Sequence, residues 1–251
     1  MIIDTFPFRD ELDILECRLV ELETVPGLVH VIVEADVTHG GNTPRDYVYP
    51  DHRERFAAWS ERIVYVQASG LPDAPDAWSR EHAQREWCWR GLEQVDAQPD
   101  DVVLHGDVDE IPSPLAAEYV RPRGFVRFRQ RLCCFAVDWE HPEPWWGTVA
   151  GRVGGIESFA AMRDARCHYL PELPDAGWHL SWLGGQAAAT AKYDAFCHAT
   201  DLDAKWRGRL GECYDTGLHV DGTRLVGVDV DDTWPRWIKE HRCPVSWFRP
   251  R

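Results

Sequence analysis

No stretch of the sequence approaches the roughly 18 consecutive apolar residues that a membrane-spanning helix needs. Its opening residues, MIIDTFPFRDELD, lack the basic region and apolar run of a secretory signal, so a cytoplasmic protein is expected. Eight cysteines are present, but no C-x-x-C pair, which argues against a zinc knuckle or a small disulfide-stapled scaffold. Buried, reduced thiols are the expectation. Basic residues are scarce: 27 Lys and Arg stand against 42 Asp and Glu, a net charge of −15, which disfavours a protein that grips nucleic acid through its phosphates. Internal repeats, low-complexity linkers and a twelve-residue D-x-D-x-D-G calcium loop are also missing.

What is there reads as an α/β protein. With 251 residues, 44% hydrophobic and 27% charged, the chain suits one large folded domain. Leu12, Leu15, Leu19 and Leu22 repeat at helical spacing behind Asp10, a candidate N-cap, and Pro26-Gly27 stops that helix. The run Leu28 to Val33 predicts a buried parallel strand ending at Glu34. Ile63 to Val66 and Asp101 to Leu104 repeat the pattern, separated by a helix from Ser79 to about Val95. Further strand is expected over Gly124 to Trp139, then a Pro/Trp-rich loop, a short strand or turn in Gly177 to Gly185 and a helix over Gln186 to Ala199. Alternating strands and helices with carboxylates beyond strand ends indicate an open, mostly parallel sheet, which takes ligands at the carboxyl ends of its strands.

The most informative segment is Asp107-Val108-Asp109-Glu110, directly after the strand DVVLHG. Extended backbone would put Asp107 and Asp109 on one side, where two carboxylates repel unless a cation lies between them. Oxygen ligands at that spacing suit Mg²⁺ or Mn²⁺, which fill their coordination with phosphate oxygens. Asp229-Val230-Asp231-Asp232 has the same spacing, but Thr233-Trp234-Pro235 follows it, so a helix-entry cap is the better explanation there. Thirteen tryptophans offer flat faces for core packing or for sugar rings.

The segments FRDELDILECRLVELETV (8–25), VIVEAD (31–36), WSREHAQREWCWRGL (78–92), DDVVLHGDVDEIP (100–112), WWGTVAG (145–151), AGWHLSWLGG (176–185), KYDAFCHATDLD (192–203) and TWPRWIKEH (233–241) together carry a resemblance. They are similar to glycosyltransferase family 17, the family of the bisecting β-1,4-mannosyl-glycoprotein N-acetylglucosaminyltransferase and its bacterial and viral relatives. The resemblance implies a GT-A-like fold, a nucleotide-sugar donor of the UDP type, a divalent metal (Mn²⁺ or Mg²⁺) and inverting transfer to an acceptor hydroxyl. It implies one domain over 1–251, with 1–112 as the nucleotide-sugar half and 113–251 as the acceptor half with the C-terminal helices. Asp107, Asp109 and His179 are the implied metal ligands, with Asp109 also catalytic. Glu34, Arg80, Arg85, Asp107, Glu110, Lys192 and His198 are the implied donor-binding residues. Asp175 is the first choice for the base, with Asp138 and Glu140 next. Trp145, Trp146, Trp178 and Trp182 are the candidates for stacking on sugar.

The bisecting enzyme carries a membrane anchor and this sequence shows none, so only the reaction type is carried over. A short bacterial or phage-type enzyme of the host cytoplasm is the expectation. Two other readings stand beside it: a phosphotransferase or nucleotidyltransferase on the same D-x-D, and an inactive sugar- or nucleotide-binding protein. The acceptor is open between a glycan, a protein, a small molecule and a hydroxylated base in viral DNA. The DNA option draws on Arg121, Arg123, Arg127, Arg129 and Arg131, which cluster in one segment.

Overall fold

The computed structural model describes residues 1–73, 76–195 and 205–250. Its sheet begins with β1 (Ile2–Phe8), β2 (Leu28–Ala35), β3 (Ile63–Ala68) and β4 (Val102–His105), all parallel and ordered β4-β1-β2-β3. The sheet continues through β5 (Glu110–Pro112), β6 (Val126–Cys134), β7 (Trp139–Glu140), β8 (Trp145–Arg152), β9 (Glu172–Leu173), β10 (Gly177–Ser181) and β11 (Val226–Gly227). Strand β8 lies antiparallel between β4 and β6, joining the two halves of the chain in one sheet, while β10 runs parallel to β6 and antiparallel to β5. The helices are α1 (Leu12–Leu22), α2 (Tyr49–His52), α3 (Ala77–Glu86), α4 (Cys88–Gln94), α5 (Pro114–Tyr119), α6 (Phe159–Asp164), α7 (Gly185–Ala195), α8 (Lys205–Thr216) and α9 (Arg236–Lys239). The expected α/β architecture is therefore present, as a mostly parallel mixed sheet flanked by helices. Among the described residues no helix is long and apolar enough to cross a membrane.

Several elements differ from expectation for identifiable reasons. Strand β1 lies between β2 and β4 at the centre of the parallel block. Its sequence, IIDTFPF, hides this by carrying a charge and a proline inside a short apolar run. Helix α1 starts at Leu12, and Asp10 does not cap it; Glu11 instead turns back to accept the amides of Arg9 and Asp10, both at 3.1 Å. The helix expected from Ser79 is two helices, α3 and α4, and Asp76 caps the first by accepting from the Trp78 and Ser79 amides. The end of the Trp-rich loop opens strand β8, because Gly147 through Gly151 are buried without a break as the strand pairs with both β4 and β6. Strand β6 stops at Cys134, where Phe135 takes a left-handed turn at φ 67°.

Leu15, Leu19 and Leu22 face the core at zero exposure, as their spacing predicts; each contributes roughly 2 kcal/mol by burial. Arg18 lies on the same stripe and is also fully buried. Its guanidinium pairs with Asp4 of β1 at 2.6 and 2.8 Å and donates to the carbonyls of Asp107, Val108 and Glu110 at 2.9, 3.1 and 2.8 Å. His30 of β2 meets Asp4 from the other side at 2.9 Å. One buried cation thus joins α1, β1 and the turn after β4.

Burial pushes the Asp4 carboxyl up, but the charge and hydrogen bonds of Arg18, helped by His30, outweigh it and hold the pKa at about 2. A depressed carboxylate stabilises the fold above its unfolded pKa of about 3.9 and stops doing so as pH falls through its folded value. The expected loss from this group between pH 5 and pH 2 is roughly 2 kcal/mol. Urea unfolding across that range should show a shallower pH slope in Asp4→Asn than in the wild type; equal slopes would refute this assignment.

Candidate functional site

A cavity of about 640 Å³ opens at the carboxyl ends of β1, β2, β4, β6 and β10, where an α/β sheet is expected to take its ligand. Its lining includes six cationic side chains, Arg9, Arg45, Arg85, Arg163, Arg166 and Lys192, and five carboxylates, Glu11, Glu81, Asp107, Asp109 and Asp164. In a chain of net charge −15 this is a locally cationic pocket.

The D-x-D sits at its floor, but not as extended strand. After His105 the chain turns, with the Glu110 amide donating to the Asp107 carbonyl at 3.0 Å, and Arg18 holds the three turn carbonyls from beneath. The two aspartates therefore face different partners rather than one shared cation. Asp107 accepts from Arg85 at 2.5 Å and from Arg163 at 2.7 Å, one guanidinium on each oxygen. Burial raises its pKa, but the two arginines hold it well below the carboxylate range. Asp109 accepts from Lys192 at 2.6 Å, and its other oxygen lies 3.4 Å from His179 Nε2. Against the cost of burial, Lys192 first and then His179 depress its pKa.

A buried polar ladder supports these groups. Arg163 also forks onto Glu110 at 2.6 and 2.7 Å, and Trp145 Nε1 donates to Glu110 at 2.6 Å. His105 is held well below the usual histidine range by burial and then by Arg85 and Arg163, so its ring is neutral. The contacts place its proton on Nδ1, which donates to Thr5 at 2.9 Å, leaving Nε2 to accept from Arg85 at 3.3 Å. Arg166 is different: it lines the cavity with no carboxylate partner among the described residues, and burial followed by the charge of Arg163 lowers its pKa. An arginine so placed favours an anion.

His179 reaches the floor from β10 because of its neighbour Gly177. There φ is +139°, and a Cβ would fall 2.0 Å from the Ile111 carbonyl, so β10 can pair with β5 only through glycine. Two residues beyond His179 β10 ends, and Trp182 adopts φ 61°, costly for a bulky side chain, where it lines the cavity. The Trp145 ring lies 4.7 Å from that of His179.

The expected site residues divide accordingly. Arg85, Asp107, Asp109, Trp145, His179, Trp182 and Lys192 meet at the cavity. Glu110 is fully buried beneath it and anchors Arg163 rather than meeting a ligand. Glu34 likewise has zero exposure; its carboxylate is filled by Arg45, the Val48 and Tyr49 amides and the Tyr65 hydroxyl, so it shapes the 45–49 segment instead of touching a nucleoside. Arg80 is buried and donates to the His39 carbonyl at 2.7 Å, a support for the rim. Trp146 is outside the cavity, bonded to Glu172 and covered by Arg127. Trp178 and Asp175 line a second cavity of about 400 Å³ with Arg129, Arg131 and Thr233.

Asp138 accepts from the Arg249 amide at 2.8 Å, and Glu140 pairs with Arg131 at 3.2 Å. The arginine stripe is not a free basic face: Arg127 and Arg129 meet Glu172, and Arg131 meets Glu140. His198 lies outside the described residues. Sequence reasoning missed Arg163 and Arg166, whose only signal is their three-residue spacing, and it missed Arg45 and Arg9 altogether.

For a divalent ion the floor offers part of a ligand shell. Asp109 and His179 fit as one oxygen and one nitrogen ligand, and His179 Nδ1 is buried without a hydrogen-bond partner among the described residues. Asp107 does not join them: both its oxygens hold guanidinium groups, and its ligand atoms do not converge with those of Asp109 and His179.

The sequence model of glycosyltransferase family 17 matches residues 1–207. No curated protein matches this chain. Among solved structures the chain is similar to a mannosyltransferase from Pyrobaculum calidifontis in complex with GDP-Man and Mn²⁺, at 13% identity, covering 85% of this chain and 69% of that one, with a TM-score of 0.39.

Arg163→Met would leave the Glu110 carboxylate buried with its charge uncompensated, and a loss of about 3–5 kcal/mol is expected. Trp146→Ala, at the surface, should stay within about 1 kcal/mol of wild type. Chemical denaturation of both variants decides it: equal costs would mean that the buried ladder does not organise the site.

Proposed function

The chain belongs to glycosyltransferase family 17, and from that premise we propose that the 640 Å³ cavity binds a nucleotide-sugar donor, of the UDP-sugar type, through its diphosphate. The observation that carries this reading is the cationic floor at the strand ends, with Arg166 lacking a carboxylate partner among the described residues. Glycosyl transfer follows from the family; donor, metal and stereochemistry are proposed here.

Asp107 acts by fixing Arg85 and Arg163 at the cavity floor, where their positive charge would face the diphosphate. Lys192 and Arg166 supply further positive charge. Asp109 and His179 would hold Mn²⁺ or Mg²⁺, with the diphosphate completing the shell; the ion would neutralise charge on the departing nucleoside diphosphate. The nitrogen ligand favours Mn²⁺ over Mg²⁺. Trp145 and Trp182 offer their faces to the sugar. Most of the acceleration would come from alignment and preorganised charge.

Inverting transfer needs a carboxylate to take the acceptor proton. Asp164 is our choice: it lines the cavity, is exposed, and has no ion pair or hydrogen bond with the described residues. Asp175 lines the other cavity, on the side where an acceptor would approach.

Thermal shift with a panel of nucleotide sugars, in Mn²⁺, Mg²⁺ or EDTA, tests the donor site. Stabilisation follows RT ln(1 + [L]/Kd), so one donor should raise the midpoint only with metal, and Asp109→Ala or His179→Ala should remove that dependence. Stabilisation that is indifferent to EDTA and to both variants would overturn the metal assignment. Release of nucleoside diphosphate, rather than pyrophosphate or nothing, separates transfer from nucleotidyl transfer and from an inactive scaffold.

Asp164→Asn should lower kcat by about 10²–10⁴ with donor binding intact. Turnover near the wild-type rate would remove Asp164 from the role.

A further inference from the structure

Beside the cavity, and apart from the D-x-D, three side chains converge that no part of the transfer chemistry uses. His141 follows β7, and its amide donates to the Leu132 carbonyl at 2.9 Å. His219 and Asp221 belong to a hairpin closed by the Leu218–Arg224 bridge and by the His219 amide on the Thr223 carbonyl at 2.8 Å. Gly222, at φ 91°, makes the turn, and Asp221 is pinned by accepting the Thr223 amide at 2.7 Å.

One ligand atom from each residue lies within 4.8 Å of the others, the only such group of three among the described residues. His141 Nε2 stands 3.5 Å from one Asp221 oxygen and His219 Nδ1 stands 2.9 Å from the other. Separations of this size are within the reach of ligands held by one ion with bonds of about 2.0–2.1 Å.

The nitrogens themselves indicate an absent partner. His141 is 9% exposed, and its Nε2 is buried with no hydrogen bond among the described residues. His219 Nδ1 is also buried without a hydrogen bond among the described residues, standing only against the Asp221 carboxylate at 2.9 Å. Two orphaned imidazole nitrogens beside one carboxylate are costly unless something occupies the space between them. His141 Nδ1 lies 3.1 Å from the Glu143 carbonyl and 3.0 Å from the Glu143 amide. The Glu143 amide donates to Nδ1 as the ring stands; with the ring proton moved to Nδ1 and donated to that carbonyl instead, Nε2 would present its lone pair, the backbone support that metal-binding histidines use.

We propose that His141, His219 and Asp221 form a second, independent metal site for a zinc-type transition ion. Two imidazoles and one carboxylate suit Zn²⁺ rather than the hard ions expected at phosphate. Because His219 also lines the main cavity, the ion clips the hairpin to the chain after β7 and fixes that part of the cavity wall. The site does not depend on what the cavity binds.

The test uses metal-free full-length protein titrated with Co²⁺ and then Zn²⁺, without nucleotide. One Co²⁺ with the intense visible absorption of tetrahedral coordination is expected, displaced by Zn²⁺. Zn²⁺ at a hundredfold excess over Kd should raise the thermal midpoint by roughly 5–10 °C. Asp221→Ala, at an exposed position, should weaken binding at least a hundredfold, beyond the effect of losing an outer-shell partner. His141→Ala should do the same, while Asp109→Ala should leave the Co²⁺ spectrum unchanged. No tetrahedral absorption in the folded wild type, or one that survives both Asp221→Ala and His141→Ala, would overturn the proposal. Loss in Asp109→Ala alone would assign the ion to the D-x-D floor and equally refute it.

Discussion

The Arg18 guanidinium is the constraint on which the site depends. A fully buried cation costs several kcal/mol in lost hydration and is tolerated only when its donors are satisfied. Here Asp4 takes two hydrogen bonds and the turn carbonyls of Asp107, Val108 and Glu110 take the rest, with the Phe6 ring 4.4 Å from the guanidinium. The carbonyl acceptors that satisfy Arg18 lie on the chain after β4 and hold it bent. Bent there, Asp107 and Asp109 point to separate partners, and the floor becomes two sites in place of one.

Around that turn, charge is balanced by geometry. Asp107 sits between Arg85 and Arg163; Glu110 holds the far side of Arg163; Glu81 holds Arg85 through a short pair. Such ladders gain specificity from being fully connected, since any missing member leaves a buried charge alone. His105 stays neutral and accepts from Arg85, adding a contact without adding a cation. Positive charge is then left over toward the cavity at Arg166, where an anionic ligand would be received, while Lys192 is paired with Asp109.

The second cavity and the His141, His219 and Asp221 group lie beyond this floor. Leu132 lines both cavities, and His219 lines the first while His141 lines the second. The wall between them is thus thin and is built from β6 and the 218–224 hairpin, which makes its rigidity relevant to both.

Much of the fold was legible because periodicity reports burial locally. Leu15, Leu19 and Leu22 face the core as their spacing requires, and Val31 to Val33 form the buried strand that their branching predicts. Strand β1 and strand β8 were not legible, because Asp4, Pro7 and the Trp145-Trp146 pair break apolar patterns that only sheet neighbours complete. The site was legible in part: Asp107, Asp109, Arg85, His179 and Lys192 lie near recognisable segments and do meet. Glu34, Glu110 and Arg80 share those segments yet are buried supports, since a motif specifies residue type but not which way a carboxylate is satisfied.

By itself, the sequence determined the class of fold, the strand end that carries the carboxylates and the family of reaction, because those depend on contiguous residues. The tertiary structure alone decided that Asp107 serves arginines while Asp109 faces His179, and that Arg163, 56 residues away in the chain, completes the floor. It also decided that two histidines 78 positions apart share one carboxylate. The physical reason is that charge and coordination act over a few ångströms of space, and only the packed sheet sets which distant residues come within that range.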